Sequence, residues 1–379
     1  MSTRTSPGNR AAAHTEYDAH VHRITALIDE ALAAGLGSAA AVSVGDEGRE
    51  VGRLVRGLTR RLPTPGVRVD EQTWFDVASL TKPMATAAAA MVLVGEGQLG
   101  LDDPIRRWLP GAASTGTVRE LLGHAAGCAP HVEFFRQLRM GSHADPRTEL
   151  VGLAAAEPAS APGVAAVYSD LGYIMLGAII ERAANARLED AYTDLVAEPL
   201  GLAARYPGTS TISIAAATEL DEREGQTWLV QGRVHDENAY FGGGVCGHAG
   251  LFARIGDVST FAAAILDTAN GRPRGRLRTD VVQRFLSDSA APGASWRLGW
   301  DTPSATPGAS QAGDRWPRSN AVGHTGFTGT SLWLDLQRRR WVTLLTNRVH
   351  PSRGGTSADQ IKALRRAVND AAIAMLEKE

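Results

Sequence analysis

Between Asp18 and Ala34 the apolar residues Val21, Ile24, Leu27, Ile28 and Leu32 recur at the spacing of one helix face, which predicts an amphipathic helix. Gly35 and Gly37 predict its end. The period then changes. AAAVSVG and REVGRLVRGL read as two strands joined by the polar turn DEGR. Near the other end SLWLDL and RWVTLLTN predict a second hairpin across QRRR, and the segment from Ser357 to Leu376 predicts another amphipathic helix. From about residue 101 to 290 helical patterns and loops rich in Gly and Pro dominate. The economical arrangement is an α+β fold: one antiparallel sheet built from both chain ends, flanked by the terminal helices, with a mostly helical lobe inserted. The expected division is a disordered tail over 1–16 and a single catalytic domain over 17–379, whose α/β lobe takes 17–100 and 290–379 and whose helical lobe takes 101–289.

Composition narrows the classes of function. The hydrophobic and charged fractions, 44% and 21%, are those of an ordinary globular protein. A net charge of −2 gives no electrostatic footprint for nucleic acid, and Arg338–Arg340 reads as a solvated turn. No apolar run reads as a membrane span. Residues 1–16 lack an apolar signal core, so a cytoplasmic location is expected. Two cysteines, Cys128 and Cys246, make no disulfide framework and show no catalytic partner pattern. They read as small buried hydrophobes.

Cations raise a sharper question. Of 39 basic residues only Lys82, Lys362 and Lys378 are lysines. Lys82 follows Ser79 by three positions in SLTKPMATAAAAMVLV, an alanine-rich segment that predicts a helix from Ser79 to about Val94, with Ser79 at its start and Pro83 in its first turn. Residues three apart share a helix face, so hydroxyl and amine reach one spot. A serine hydroxyl needs a neighbouring base to become a nucleophile. A lysine amine can be that base if its pKa is depressed, whereas a guanidinium does not lose its proton.

Two further segments complete a pattern. Tyr168-Ser169-Asp170 precedes the apolar helix LGYIMLGAIIERA, and His324-Thr325-Gly326 lies on a predicted strand. S-x-x-K followed by two such elements resembles the serine β-lactamase and penicillin-binding protein superfamily, most closely its branch of class C β-lactamases, D-Ala-D-Ala carboxypeptidases and esterases. LDDPIRRWLPG, TVRELLGHAAG, VHDENAYFGGGVCGHAGLF and GHTGFTGTSLWLD carry the likeness over roughly residues 18 to 376. The resemblance implies that Ser79 forms an acyl-enzyme, with Lys82 and Tyr168 moving protons. It implies that the backbone N–H groups of Ser79 and Phe327 form an oxyanion hole. His324 then holds the tyrosine's hydrogen bond or a substrate carboxylate, and Asp170, Thr325 and Gly326 line the substrate site. Asp170 stands where the family usually has asparagine, and His324 where many members have lysine. Both changes remove positive character and favour an ester or amide of a neutral substrate.

Rival motifs are weaker. Gly95–Gly100 spells G-x-G-x-x-G, but a helix precedes it where a dinucleotide site needs a strand. His235, Asp236 and Glu237 are consecutive and lack a metal-binding frame; they read as a loop organising the cleft. His248 reads as part of a glycine-bent connection and His124 as a structural residue near the cleft. No G-x-S-x-G elbow occurs. The expectation is a cofactor-free, metal-free serine hydrolase, most simply an esterase, acting on a small ester, amide or D-peptide. The alternatives are a D-Ala-D-Ala carboxypeptidase, a weak class C-like β-lactamase, and a non-catalytic sensor or scaffold. Substrate identity, acyl transfer against hydrolysis, and oligomeric state stay open.

Overall fold

In the computed structural model, which describes residues 22–141, 144–223 and 226–377, the strands in chain order are β1 (Ala39–Asp46), β2 (Arg49–Gly57), β3 (Phe75–Asp76), β4 (Ala217–Arg223), β5 (Gln226–Gln231), β6 (Phe252–Ala253), β7 (Ala321–Thr325), β8 (Ser331–Asp335) and β9 (Arg340–Thr346). The two terminal hairpins join through β1 and β9 into one antiparallel sheet of order β2-β1-β9-β8-β7. The tail expected over 1–16 lies outside the described residues. β1 and β9 are central and buried on both faces, which is why they read as nearly continuous apolar runs. β2, at the edge, is largely exposed.

The longer helices are α1 (22–33), α2 (Ala88–Gly95), α3 (Pro146–Ala156), α4 (Asp170–Ala184), α5 (Ile255–Ala269), α6 (Thr279–Ser287) and α7 (Ala358–Leu376). Alternation along β1 sorts its side chains between two cores. Ala40, Val42 and Val44 pack with Ile24 and Ile28 of α1 and with Ile361, Leu364 and Val368 of α7. Ala39 and Ala41 face the larger core, which holds α2, α4 and α5. Helix α5 lies inside the span read as the helical lobe, yet it packs against β1 and β9. The same span also contains the β4–β5 hairpin, which its helical composition did not announce.

One sequence reading needs correction. Ala78–Gly95 is apolar and long enough to cross a membrane, but 83% of it is buried inside the fold. It is the central core helix, packed side by side with α4.

Candidate active site

The path into that helix is bent and fixed from several sides. The buried Asp76 carboxylate accepts from the Ala78 N–H at 2.8 Å and from the His235 N–H at 2.8 Å. Burial nevertheless holds its pKa above the ordinary carboxylate value. Ala78 takes φ +49°, a left-handed conformation that costs a residue with a Cβ on the order of 1 kcal/mol or more.

The regular helix expected from Ser79 does not form. Ala78–Leu80 is a single 3₁₀ turn without a side-chain cap, and Lys82–Ala87 is a π-helical segment before α2 begins. Pro83 has no N–H for the Ser79 carbonyl. That carbonyl and the Ala78 carbonyl instead accept from the Thr81 N–H. Short π segments of this kind recur at functional sites.

Lys82 is completely buried. Its Nζ lies 3.1 Å from Ser79 Oγ, 2.8 Å from Asp170 Oδ1 and 3.2 Å from the His248 carbonyl oxygen, so all three ammonium donors are used. The carbonyl is brought there by close packing. A Cβ on Gly247 would sit 2.1 Å from the Tyr173 carbonyl oxygen of α4, and the Gly247 carbonyl accepts from Thr86 Oγ1 at 2.6 Å. Tyr168 donates to Ser79 Oγ at 2.9 Å. Its ring is boxed by His124, Trp296 and His324, with centroids 4.7, 5.3 and 6.0 Å away. Ser169 caps α4 by accepting from the Gly172 N–H at 3.1 Å, which sets Asp170 at the helix N-terminus, where a negative charge is favoured. His131 Nδ1, 3.3 Å from Asp170 Oδ2, flanks the carboxylate's other oxygen.

These contacts decide the resting charges. Burial alone would lower the Lys82 pKa, but the Asp170 carboxylate outweighs it and holds the amine above the ordinary lysine range. Burial works against ionised Asp170 too, and Lys82 overcomes it, holding that carboxyl well below its usual range. Lys82 is therefore an ammonium in an ion pair, not the depressed amine that the scarcity of lysine suggested. Tyr168 is raised by burial, against the opposing pull of Lys82, and rests as a phenol.

His324 lies on β7 opposite Leu332. Its Nδ1 donates to the Thr325 carbonyl at 2.9 Å, which leaves Nε2 unprotonated, buried and without a partner. Burial and then Lys82 push its pKa down to about 3. The expected hydrogen bond to Tyr168 is not made, because the phenol is committed to Ser79. A neutral imidazole also offers no fixed positive charge for a carboxylate.

Gly326 and Phe327 come next. A Cβ on Gly326 would meet the Val77 carbonyl oxygen at 2.6 Å, so glycine lets this turn press against the entry to Ser79. Phe327 is half-exposed and stacks on His235, with centroids 5.8 Å apart. Ser79, Tyr168, Asp170, His324, Thr325, Gly326 and Phe327 all line one cavity of about 590 Å³.

The sequence did not single out several residues of the same cavity: Asp76, His131, Trp296, Arg348 and Arg365. In a chain rich in arginine no local signal marks two of them as special. His235 pairs with Glu219 at 2.9 Å and His248 with Asp236 at 2.9 Å. Among the described residues no three His, Cys, Asp or Glu side chains are grouped as metal ligands.

The fold is shared with known proteins. A family model described as Beta-lactamase matches residues 24–366, and the chain belongs to that family, a family of β-lactamase-fold hydrolases. It is 28% identical over 362 residues to the N-acetylmuramyl-L-alanine amidase of Bacillus subtilis (strain 168), covering 87% of this chain and 81% of that protein. It is 29% identical over 314 residues to an Escherichia coli (strain K12) protein named "Putative D-alanyl-D-alanine carboxypeptidase", covering 75% and 71%. Among solved structures, SurE with D-Leu superposes with a TM-score of 0.68 at 26% identity over 94% of this chain and 76% of that one.

Proposed function

We propose that this protein is a serine hydrolase that cleaves an ester or amide through an acyl-enzyme on Ser79. One observation carries the reading: Ser79 Oγ, at the wall of the cavity, lies within 3.1 Å of Lys82 Nζ and 2.9 Å of the Tyr168 hydroxyl. Both neighbours donate to it, so at rest its two lone pairs are occupied and its own proton is free; the Tyr168 bond must reverse before Oγ attacks. Tyr168 is the proton carrier. Loss of its proton to water in the cleft, made less costly by the Lys82 ammonium 4.8 Å from its ring centroid, gives a phenolate that takes the Ser79 proton as Oγ attacks the carbonyl. The phenol returns that proton to the departing alcohol or amine. The regenerated phenolate then activates water against the ester bond of the acyl-enzyme. The Ser79 and Phe327 N–H groups receive the oxyanion.

A simple esterase of neutral substrates is the first form of this reading. A specific observation favours the second, a D-Ala-D-Ala carboxypeptidase or weak β-lactamase. Arg348 lines the cavity, largely buried, and makes no ion pair among the described residues. It supplies the fixed positive charge for a substrate carboxylate that His324 does not. The names of the amidase and carboxypeptidase relatives support amide substrates as well as esters.

Intact-mass measurement after incubation with a fluorophosphonate or a penicillin tests the reading. The expected result is a single adduct that maps to Ser79 and is absent in Ser79→Ala. No adduct with either probe would leave a non-catalytic sensor as the better description. Comparing p-nitrophenyl butyrate, nitrocefin and a D-Ala-D-Ala peptide ranks the three substrate classes.

A further inference from the structure

The cavity holds two arginines that no carboxylate neutralises, and both touch the same short stretch of backbone. Arg365 of α7 is almost fully buried. Its Nη2 donates to the Gly326 carbonyl at 2.6 Å and to the Thr330 carbonyl at 3.0 Å; Nε donates to the Gly329 carbonyl at 3.3 Å; Nη1 donates to Gln311 Oε1 at 2.6 Å. Every one of these partners is neutral. Arg348 donates through Nε to the Phe327 carbonyl at 2.9 Å, and its guanidinium lies 4.8 Å from the Phe327 ring centroid.

Burying a cation against neutral carbonyls is costly, and the structure shows what these two arginines hold in return. The Gly326 carbonyl and the Phe327 N–H belong to one peptide unit. A positive charge on the oxygen of an amide draws electron density through the conjugated C–N bond and leaves the N–H more positive. Hydrogen bonds to a charged group are about twice as strong as neutral ones. We propose that Arg365 is a positioning residue for the oxyanion hole: its charge polarises the 326–327 peptide so that the Phe327 N–H binds the developing oxyanion more tightly, and its three bonds to the Gly326, Gly329 and Thr330 carbonyls, together with Arg348's bond to the Phe327 carbonyl of the next peptide, lock the loop that aims this N–H. The inference rests on the Ser79 reading and extends it to a residue on the C-terminal helix, 286 positions further along the chain.

The Ser79 half of the hole is built differently. There the carbonyl of the donor peptide, that of Ala78, accepts from the Thr81 N–H, a neutral donor. The polarising charge therefore serves one donor of the pair.

The test compares wild type with Arg365→Gln, Arg365→Lys and Arg348→Gln, using p-nitrophenyl butyrate for turnover and n-butylboronic acid as a tetrahedral analogue. Outright loss of an oxyanion donor costs about 10²–10³ in kcat; weakening one should cost less. Arg365→Gln is expected to lower kcat about tenfold or more with KM within about threefold, and to weaken the boronate in the same proportion. Arg365→Lys should restore part of both. Arg348→Gln, which loses a bond to the neighbouring 327–328 peptide and not to the 326–327 unit, should show a smaller loss and keeps the test open if Arg365→Gln does not fold. A second readout needs no turnover: the acyl carbonyl stretch of a stalled acyl-enzyme should move to higher frequency when the donor weakens. Variants that acylate normally, keep their boronate affinity and leave the carbonyl frequency unchanged would overturn the inference while leaving the hydrolase reading intact. A wild-type protein that forms no Ser79 adduct would take down both.

Discussion

The two walls of the cleft treat buried positive charge in opposite ways. On the wall made by the π segment and α4, Lys82 is matched by Asp170 at 2.8 Å, and the pair is neutral as a unit. On the wall made by the β7–β8 turn, the segment after β9 and α7, Arg348 and Arg365 meet carbonyl oxygens and the Phe327 ring, with no carboxylate partner among the described residues. A matched pair fixes geometry and resting protonation. An unmatched cation is a standing field aimed at whatever negative charge enters, whether a substrate carboxylate or an oxyanion. On the proposed mechanism, the cleft separates the wall that would handle protons from the wall that would receive charge.

The largest effect should come from breaking the matched wall. Lys82→Met leaves Asp170 charged and deprived of its main partner. Removing one member of a buried pair typically destabilises by about 3–5 kcal/mol, and activity should fall by about 10³-fold or more. Chemical denaturation of Lys82→Met beside the double variant Lys82→Met/Asp170→Asn checks the cause: the double variant should recover most of the stability and none of the activity. If the single variant is as stable as wild type, the pair does not carry the role given to it.

Asp170→Asn alone sharpens the comparison by a smaller step. Asp170 raises the pKa of both Lys82 and Tyr168, so its loss lowers both. Whichever group must give up a proton to reach the reactive form, the acid limb of the kcat/KM profile should move toward lower pH. A displacement of about one unit corresponds to roughly tenfold more activity on that limb. A limb that stays in place would mean that Asp170 does not tune the proton carrier.

What the sequence made legible follows the same division. Ser79, Lys82 and Tyr168 were found because they are unusual where they stand: a lone lysine in an arginine chain, a serine three residues before it, a tyrosine ahead of an apolar helix. The terminal hairpins were legible because β1 and β9 are continuous apolar runs. The state of Lys82 was not legible, because protonation is set by Asp170, 88 residues away in sequence. Nor was the break in the core helix that carries Ser79 and Lys82, which depends on the left-handed Ala78 and on Pro83 lacking a donor. The unmatched wall was hidden altogether. An arginine's counterion, or the lack of one, belongs to tertiary structure, and Arg365 sits on an amphipathic helix whose pattern accounts for its neighbours without it.

The smallest effect concerns a third way of holding a cationic side chain, in which it is kept uncharged. His350 is fully buried, and its Nε2 accepts from the backbone N–H groups of Arg61 at 2.9 Å and Leu62 at 3.3 Å. Burial, with Arg61 and Arg60 nearby, pushes its pKa down to about 4. An unfolded histidine titrates near about 6.5. Between these values the unfolded chain binds a proton that the native state refuses, so this residue lowers stability as pH falls through that window, by at most about 1.4 kcal/mol per unit. Above the window it has no such effect. His350→Gln keeps an acceptor for the two N–H groups and cannot titrate. Its stability relative to wild type, followed by denaturant unfolding from pH 7 to pH 4.5, should therefore improve steadily as the solution is acidified. A difference that stays constant over that range would show that His350 takes up its proton in the native state as readily as in the unfolded chain.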